Sequence, residues 1–234
     1  MTTSGTYSYA PGLGELVLYA YNLCGIRNTA LVAEHFQTAR TAANMLLASW
    51  ANQGVNLWAV DLITVPLIQG QSTYAVTSTT GQSTNTVMIL DAYITTTTGN
   101  FSTDRIILPI SRTEYASYPN KTQQGFPTTF WFDRLISPTI TLWPVPDGNE
   151  TSLSYYRVRQ LQDANLTGGQ QPEIPYLWLD AFAYGLAARL CQIWAPQMLN
   201  QIKPLADEAY QIAATQNIEN VNVFISPQIS GYFR

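Results

Sequence analysis

The chain has 234 residues, enough for one large domain or two small ones with a real core. Charged residues make up only 11% of it, against roughly a quarter in an average soluble protein, so a lone copy keeps itself in solution poorly and assembly with other chains is expected. A net charge of −4 and a pI near 4.9 exclude a protein that grips phosphate backbones with clustered Lys and Arg.

Residues 1–56 read as a helical hairpin. Leu13, Leu16, Val17, Ala20 and Cys24 recur at helical spacing, and Gly25 supplies a stop. The stretch GLGELV at 12–17 begins like a dinucleotide fingerprint, but it lacks the third glycine and follows SYAP rather than a strand. It reads as a helix start. Asn28 is placed to cap a second helix, on which Val32, Phe36, Ala39, Ala43, Leu46 and Trp50 form the core stripe while Glu34, Gln37, Arg40 and Asn44 stay wet. Gly54 ends it. The short spacer predicts that the two helices are antiparallel neighbours.

From residue 57 the hydrophobic period changes to two, and 57–165 reads as an inserted, mostly antiparallel β region. LWAVDLITVPL, TVMILDAYIT, RIILPIS, TTFWFD, TITLW and TSLSYYRV are the strand candidates, rich in β-branched and aromatic residues. The connections QGQS, TTGQSTN, TTTTGN, PNKTQQGFP and PVPDGNE are rich in Gly, Asn, Pro and polar residues. Two alternating segments flank Asp147-Gly148, which predicts a hairpin there.

Helix returns at Pro175. Residues 172–216 read as a second helical hairpin, broken at Ala195-Pro196 and continued by Leu199, Ile202, Leu205, Ala209 and Ile212. The run over 176–194 is almost without charge. As a membrane span, its Asp180 and Arg189 would each cost about 2.5–3.5 kcal/mol near a bilayer centre, so a helix buried by protein is expected instead. The terminal helices most simply pack as one antiparallel bundle, giving an α+β chain with a β insertion. The helix over 176–194 would then meet its own partners on one side, and Ala181, Ala183, Gly185, Ala187 and Ala188 would let a second copy of the chain approach the other. Residues 217–234 carry apolar residues at extended spacing and no run of charge; eighteen stretched residues reach roughly 60 Å.

No motif for chemistry stands out. His35 is the only histidine and has no Ser or Cys in an activating context. Cys24 and Cys191, the only cysteines, both lie in apolar helical patterns; two cysteines could make one disulfide, but a pair of buried free thiols is the favoured reading, in a protein kept in a reducing cytosol until it assembles. Nothing clusters His, Cys or carboxylates for a metal, and no cofactor is expected. Asp61, Asp91, Asp104 and Asp133 lack the paired spacing of a glycosidase. In YYRVRQ, at 155–160, aromatic and basic residues interleave; alternation on a half-buried strand explains this better than a nucleic-acid stacking platform.

Five stretches taken in order carry a resemblance: SWANQGVNLW ending the first hairpin, LIQGQSTYAV at 67–76, ISRTEYASYPNKTQQGFPTTFWFD at 110–133, LWPVPDGNETSLSYYRVRQL at 142–161 and IPYLWLDAFAYGLAARLC at 174–191. Over residues 28 to 215 the chain resembles the head-to-tail adaptors of short-tailed bacteriophages, the tail accessory factor or tail tubular protein A family. The resemblance implies a structural virion protein without enzymatic activity. By that resemblance it would be made in the host cytoplasm and placed at the head-tail junction as a ring, usually of twelve copies, under the portal protein. Tail nozzle or fibre proteins would dock below, and double-stranded DNA would pass through without sequence-specific binding, with no membrane involved. The portal-binding segment would be the C-terminal tail, through Val221, Val223, Phe224, Ile225, Ile229, Tyr232, Phe233 and Arg234. Trp178, Ala181, Gly185, Ala188 and Arg189 would form the helix face between subunits. The alternatives are a siphophage-type connector and a β-rich receptor- or glycan-binding virion module.

Overall fold

The computed structural model describes residues 5–7, 9–54, 57–76, 86–166, 169–215 and 217. Four long helices, α1 (Leu13–Leu23), α2 (Ala33–Asn52), α4 (Leu179–Trp194) and α5 (Leu199–Thr215), come from the two ends of the chain and share one core. Between them lie a short helix α3 (Arg112–Ser117) and strands β1 (Val60–Pro66), β2 (Thr73–Ala75), β3 (Thr86–Thr98), β4 (Phe101–Pro109), β5 (Thr129–Asp133), β6 (Thr139–Trp143) and β7 (Ser152–Arg159). The chain is thus α+β, with the terminal helices flanking a sheet. No helix among the described residues is long and apolar enough to cross a membrane.

The helical core explains the apolar run of α4. Leu186, Ala187, Leu190 and Cys191 are fully covered, and α1, α2 and α5 all pack on this helix. The cover predicted from a second copy comes largely from the same chain. α1 and α2 are not neighbours along their length, because each packs on α4. They meet at one end, where the Tyr21 hydroxyl donates to the His35 carbonyl at 2.6 Å. The connection between them widens for a physical reason: Asn28 starts a single 3₁₀ turn, and Leu31 and Val32 then run extended. Asn28 therefore does not cap α2. Val32 occupies the cap position, and its N–H donates to His35 Nδ1 at 3.3 Å.

The seven strands form one sheet in the order β1-β7-β3-β4-β5-β6-β2, antiparallel except for β4 beside β5. That parallel pair is possible because residues 110–128, including α3, carry the chain back across the sheet. Ile63, Ala92, Ile94, Ile107, Phe130, Leu142, Leu153 and Tyr155 fill its core. Four threonines read as a connection, Thr95 to Thr98, belong to β3, and the chain reverses only at Gly99-Asn100, with Thr98 opposite Phe101. β-Branched side chains suit a strand, and Gly99 at φ +61° supplies the turn.

The hairpin predicted around Asp147-Gly148 does not form between β6 and β7. β6 pairs with β5 and β2, whereas β7 pairs with β1 and β3. A turn is present, with Asn149 N–H donating to Asp147 Oδ1 at 3.1 Å. Pro144 and Pro146 offer no N–H for a ladder, so β6 cannot be prolonged into the turn. The segment instead receives Gly70 N–H on the Pro146 carbonyl and Leu67 N–H on the Thr151 carbonyl.

An ionic network ties sheet to bundle. Arg157, almost completely buried within β7, donates to both Asp61 carboxylate oxygens at 3.0 and 3.2 Å and to Thr86 Oγ1 at 3.2 Å. Arg159 pairs with Glu173, whose carboxylate also accepts Gln162 N–H at 2.8 Å and whose carbonyl accepts Trp58 Nε1–H at 3.1 Å. Asn44 of α2 both donates to and accepts from the Ala164 backbone, so it is half-buried rather than wet.

Candidate assembly surfaces

Of the five residues expected to face a neighbour, two are already covered from within. Trp178 is 3% exposed and Ala181 1%. The Trp178 ring packs against Trp50, Trp58 and Tyr210 at centroid distances of 5.0, 5.2 and 5.9 Å. Gly185, Ala188 and Arg189 are half-buried and line a groove of about 210 Å³ between α2, α4 and α5. Gly185 has an intrachain reason to lack a side chain. A Cβ there would lie 3.1 and 3.2 Å from the two Leu46 methyls, closer than ordinary contact allows.

Two larger grooves flank the bundle. One, of about 420 Å³, runs between α2 and the end of α4, lined by Gln37, Thr41, Met45, Arg189, Gln192 and Ile193. Met45 and Ile193 are both more than half exposed. The other, of about 690 Å³, lies between α1 and the start of α4, with Tyr9, Tyr19, Tyr176 and Leu177 over Leu179 and Ala183. Burial raises the Tyr19 hydroxyl above its usual range, helped by the nearby Tyr184 and Asp180. Leu179 and Gln192 lie about 140° apart around α4, so the two grooves open on different sides. Sequence reasoning passed over both. The available signal was apolar residues off the buried stripe, such as Tyr19 beside Leu16 and Ala20, and Met45 beside Leu46.

The outer face of the sheet adds a third exposed apolar region. Leu62 of β1 pairs with Tyr156 of β7, and Tyr93 of β3 with Ile106 of β4; Leu62, Tyr156, Ile106 and Leu108 are exposed. Tail residues Val221, Val223, Phe224, Ile225, Ile229, Tyr232, Phe233 and Arg234 lie outside the described residues.

The titratable groups serve packing. His35 stacks on Trp194 at 4.1 Å and meets Tyr21 edge-on. Burial pushes the Tyr21 and Tyr155 hydroxyls up to about 12. Burial alone would raise Glu173, but hydrogen bonds from Arg159 and Gln162 N–H, with the Arg159 charge, hold it below the usual carboxylate range. Tyr155 and Arg157 of YYRVRQ are buried, whereas Tyr156 faces out. Among the described residues no group of three or more His, Cys, Asp or Glu is placed to hold a metal ion.

The profile of the family described as SU10 adaptor protein matches residues 27–222, most of the bundle and the whole sheet. No curated protein matches the chain. With the match spanning well over half its length, the chain belongs to the SU10 adaptor protein family, a family of phage head-tail adaptors.

Proposed function

We propose that the chain is a structural head-to-tail adaptor of the short-tailed phage type, forming a ring, expected at twelve copies, beneath the portal protein. The ring would extend the DNA channel, seal the filled head and present a docking platform for nozzle or fibre proteins. The observation that carries this reading is the family match over residues 27–222. Two unlike exposed grooves on the bundle support it, because a ring repeats contact between two different faces whereas a two-fold dimer uses one face twice. The acidic, charge-poor composition suits a wall past which DNA slides. Residues 217–234, spanning roughly 60 Å if stretched, would form the arm that runs to the portal, and free copies would stay monomeric until the portal templates them, since the cost of ordering falls at the binding step.

Sedimentation of the purified chain, alone and mixed with its portal ring, tests the reading. Alone it should run as a 26.0 kDa species. With the portal it should add the mass of a full ring, and a chain ending at residue 216 should lose portal affinity while keeping its fold. Failure of the intact chain to associate with the portal ring would overturn the proposal. A stable dodecamer formed without portal would remove the templating step and leave the adaptor role standing.

A further inference from the structure

Cys24 and Cys191 lie 167 positions apart in sequence, yet their sulfurs are 2.8 Å apart in the helical core. Cys24 closes α1 and Cys191 stands in the last turn of α4, both buried. The Cys191 thiol donates to Cys24 Sγ, and the Cys24 thiol donates to the Ala187 carbonyl at 3.3 Å. A disulfide needs its sulfurs at about 2.05 Å, so closure must shorten this gap by about 0.8 Å. Other residues of the helical core surround the pair, so access to it requires opening of one helix end.

We propose that Cys24 and Cys191 are an intramolecular disulfide site, held as thiols in a reducing medium and closed by a small-molecule disulfide such as oxidised glutathione. Cys24 is the attacking group, because it stands at a helix end next to exposed Gly25. When that turn opens, the Cys24 thiolate attacks a sulfur of the small disulfide, expels one small thiolate and leaves a mixed disulfide. The Cys191 thiolate then attacks Cys24 Sγ, the Sγ–Sγ bond forms and the second small thiolate leaves. Two protein thiol protons go to solvent or to the departing thiolates, and the two electrons reside in the reduced small thiols. Burial raises the Cys24 thiol above its usual range, with the Cys191 contact adding to it, so in the closed state it is protonated and inert. Opening sets the rate. The product ties α1 covalently to the central helix of the bundle.

The test uses the full chain in a series of reduced-to-oxidised glutathione buffers. The temperature is chosen so that the Cys24 and Gly25 amides exchange with solvent during the incubation. Samples are quenched by alkylation under denaturing conditions and weighed intact. Both alkylation sites should vanish together with loss of two hydrogens, a peptide map should link Cys24 to Cys191, and the melting temperature should rise by roughly 5–15 °C. Cys191→Ser should stop at a glutathione adduct on Cys24, and Cys24→Ser should leave Cys191 unmodified. A stable glutathione adduct on the natural chain, disulfide-linked dimers, or two thiols that persist although the turn opens would each overturn the proposal.

Discussion

Replacing Gly185 with valine separates the two roles that a small residue on α4 could play. If its smallness serves the chain's own packing, the cost must run through Leu46, whose methyls would lie 3.1 and 3.2 Å from the new Cβ before the valine methyls are even placed. Leu46 is 6% exposed, so its displacement would have to be taken up within the packed core or the neighbouring groove. Overpacking of this kind costs about 1–3 kcal/mol, and better helix propensity returns only about 0.4 kcal/mol, so Gly185→Val should lose about 0.6–2.6 kcal/mol. Leu46→Ala alone should lose about 2–4 kcal/mol, but it removes the obstructing methyls. The double variant should therefore be about 1–2 kcal/mol more stable than the sum of the two losses predicts. Urea unfolding followed by tryptophan fluorescence and circular dichroism, on wild type, both single variants and the double, measures that coupling. Additivity within about 0.5 kcal/mol would refute the assignment and return Gly185 to the role of a backbone contact for a neighbouring subunit.

Asp61→Asn should destabilise the chain by about 2–3 kcal/mol in urea melts, because it strips the carboxylate from buried Arg157; the half-open position of Asp61 keeps the loss below that of a fully buried pair. Glu173 has its folded pKa lowered, so its contribution is complete above its unfolded pKa of about 4.3 and is lost as the pH falls from there through the folded value. Stability against pH between about 5 and 3 should accordingly fall less steeply in Glu173→Gln than in wild type. Met45→Lys with Ile193→Lys should block one groove, and Tyr176→Lys with Leu177→Lys the other, each leaving the fold intact by circular dichroism. Under the proposed ring neither variant self-associates on a portal, but an equimolar mixture forms pairs; self-association of either variant alone argues for a two-fold contact instead.

What the sequence made legible was what depends on neighbours along the chain. The stripe of Ala39, Ala43, Leu46 and Trp50 lands in the core because a helix fixes which residues share a face. Val32 departs from it, more than half exposed, because it caps the helix rather than lying within it. α3 was missed although its signal was present: Ser111 accepts Glu114 N–H at 3.1 Å, a cap announced by the SRTE spacing. β2, three residues long, offers no periodicity to read. The mostly antiparallel sense of the sheet was legible, but which strand pairs with which was not. Asp147-Gly148 says that the chain turns but not which strands it joins, and Arg157 finds Asp61 across 96 positions that no local pattern connects.

The undercovered α4 was the sequence's main reason to expect companions, and the structure removes most of that reason by wrapping α1, α2 and α5 around it. The case for assembly moves to apolar residues that the chain leaves exposed. Met45 and Ile193 are flexible or branched apolar side chains set beside a groove whose one charge, Arg189, has no ion pair among the described residues. Tyr176 and Leu177 stand exposed two and one residues before Trp178, so the same short turn sends one aromatic ring into the core and two apolar side chains outward. Exposed apolar groups are ordinary when scattered, but grouped along two grooves they are the surfaces at which the proposed ring would make its contacts. Because the grooves lie on different sides of one helix, a copy that joined through one would leave the other open for the next. That geometry propagates, and it closes only when the turn per copy divides a full circle.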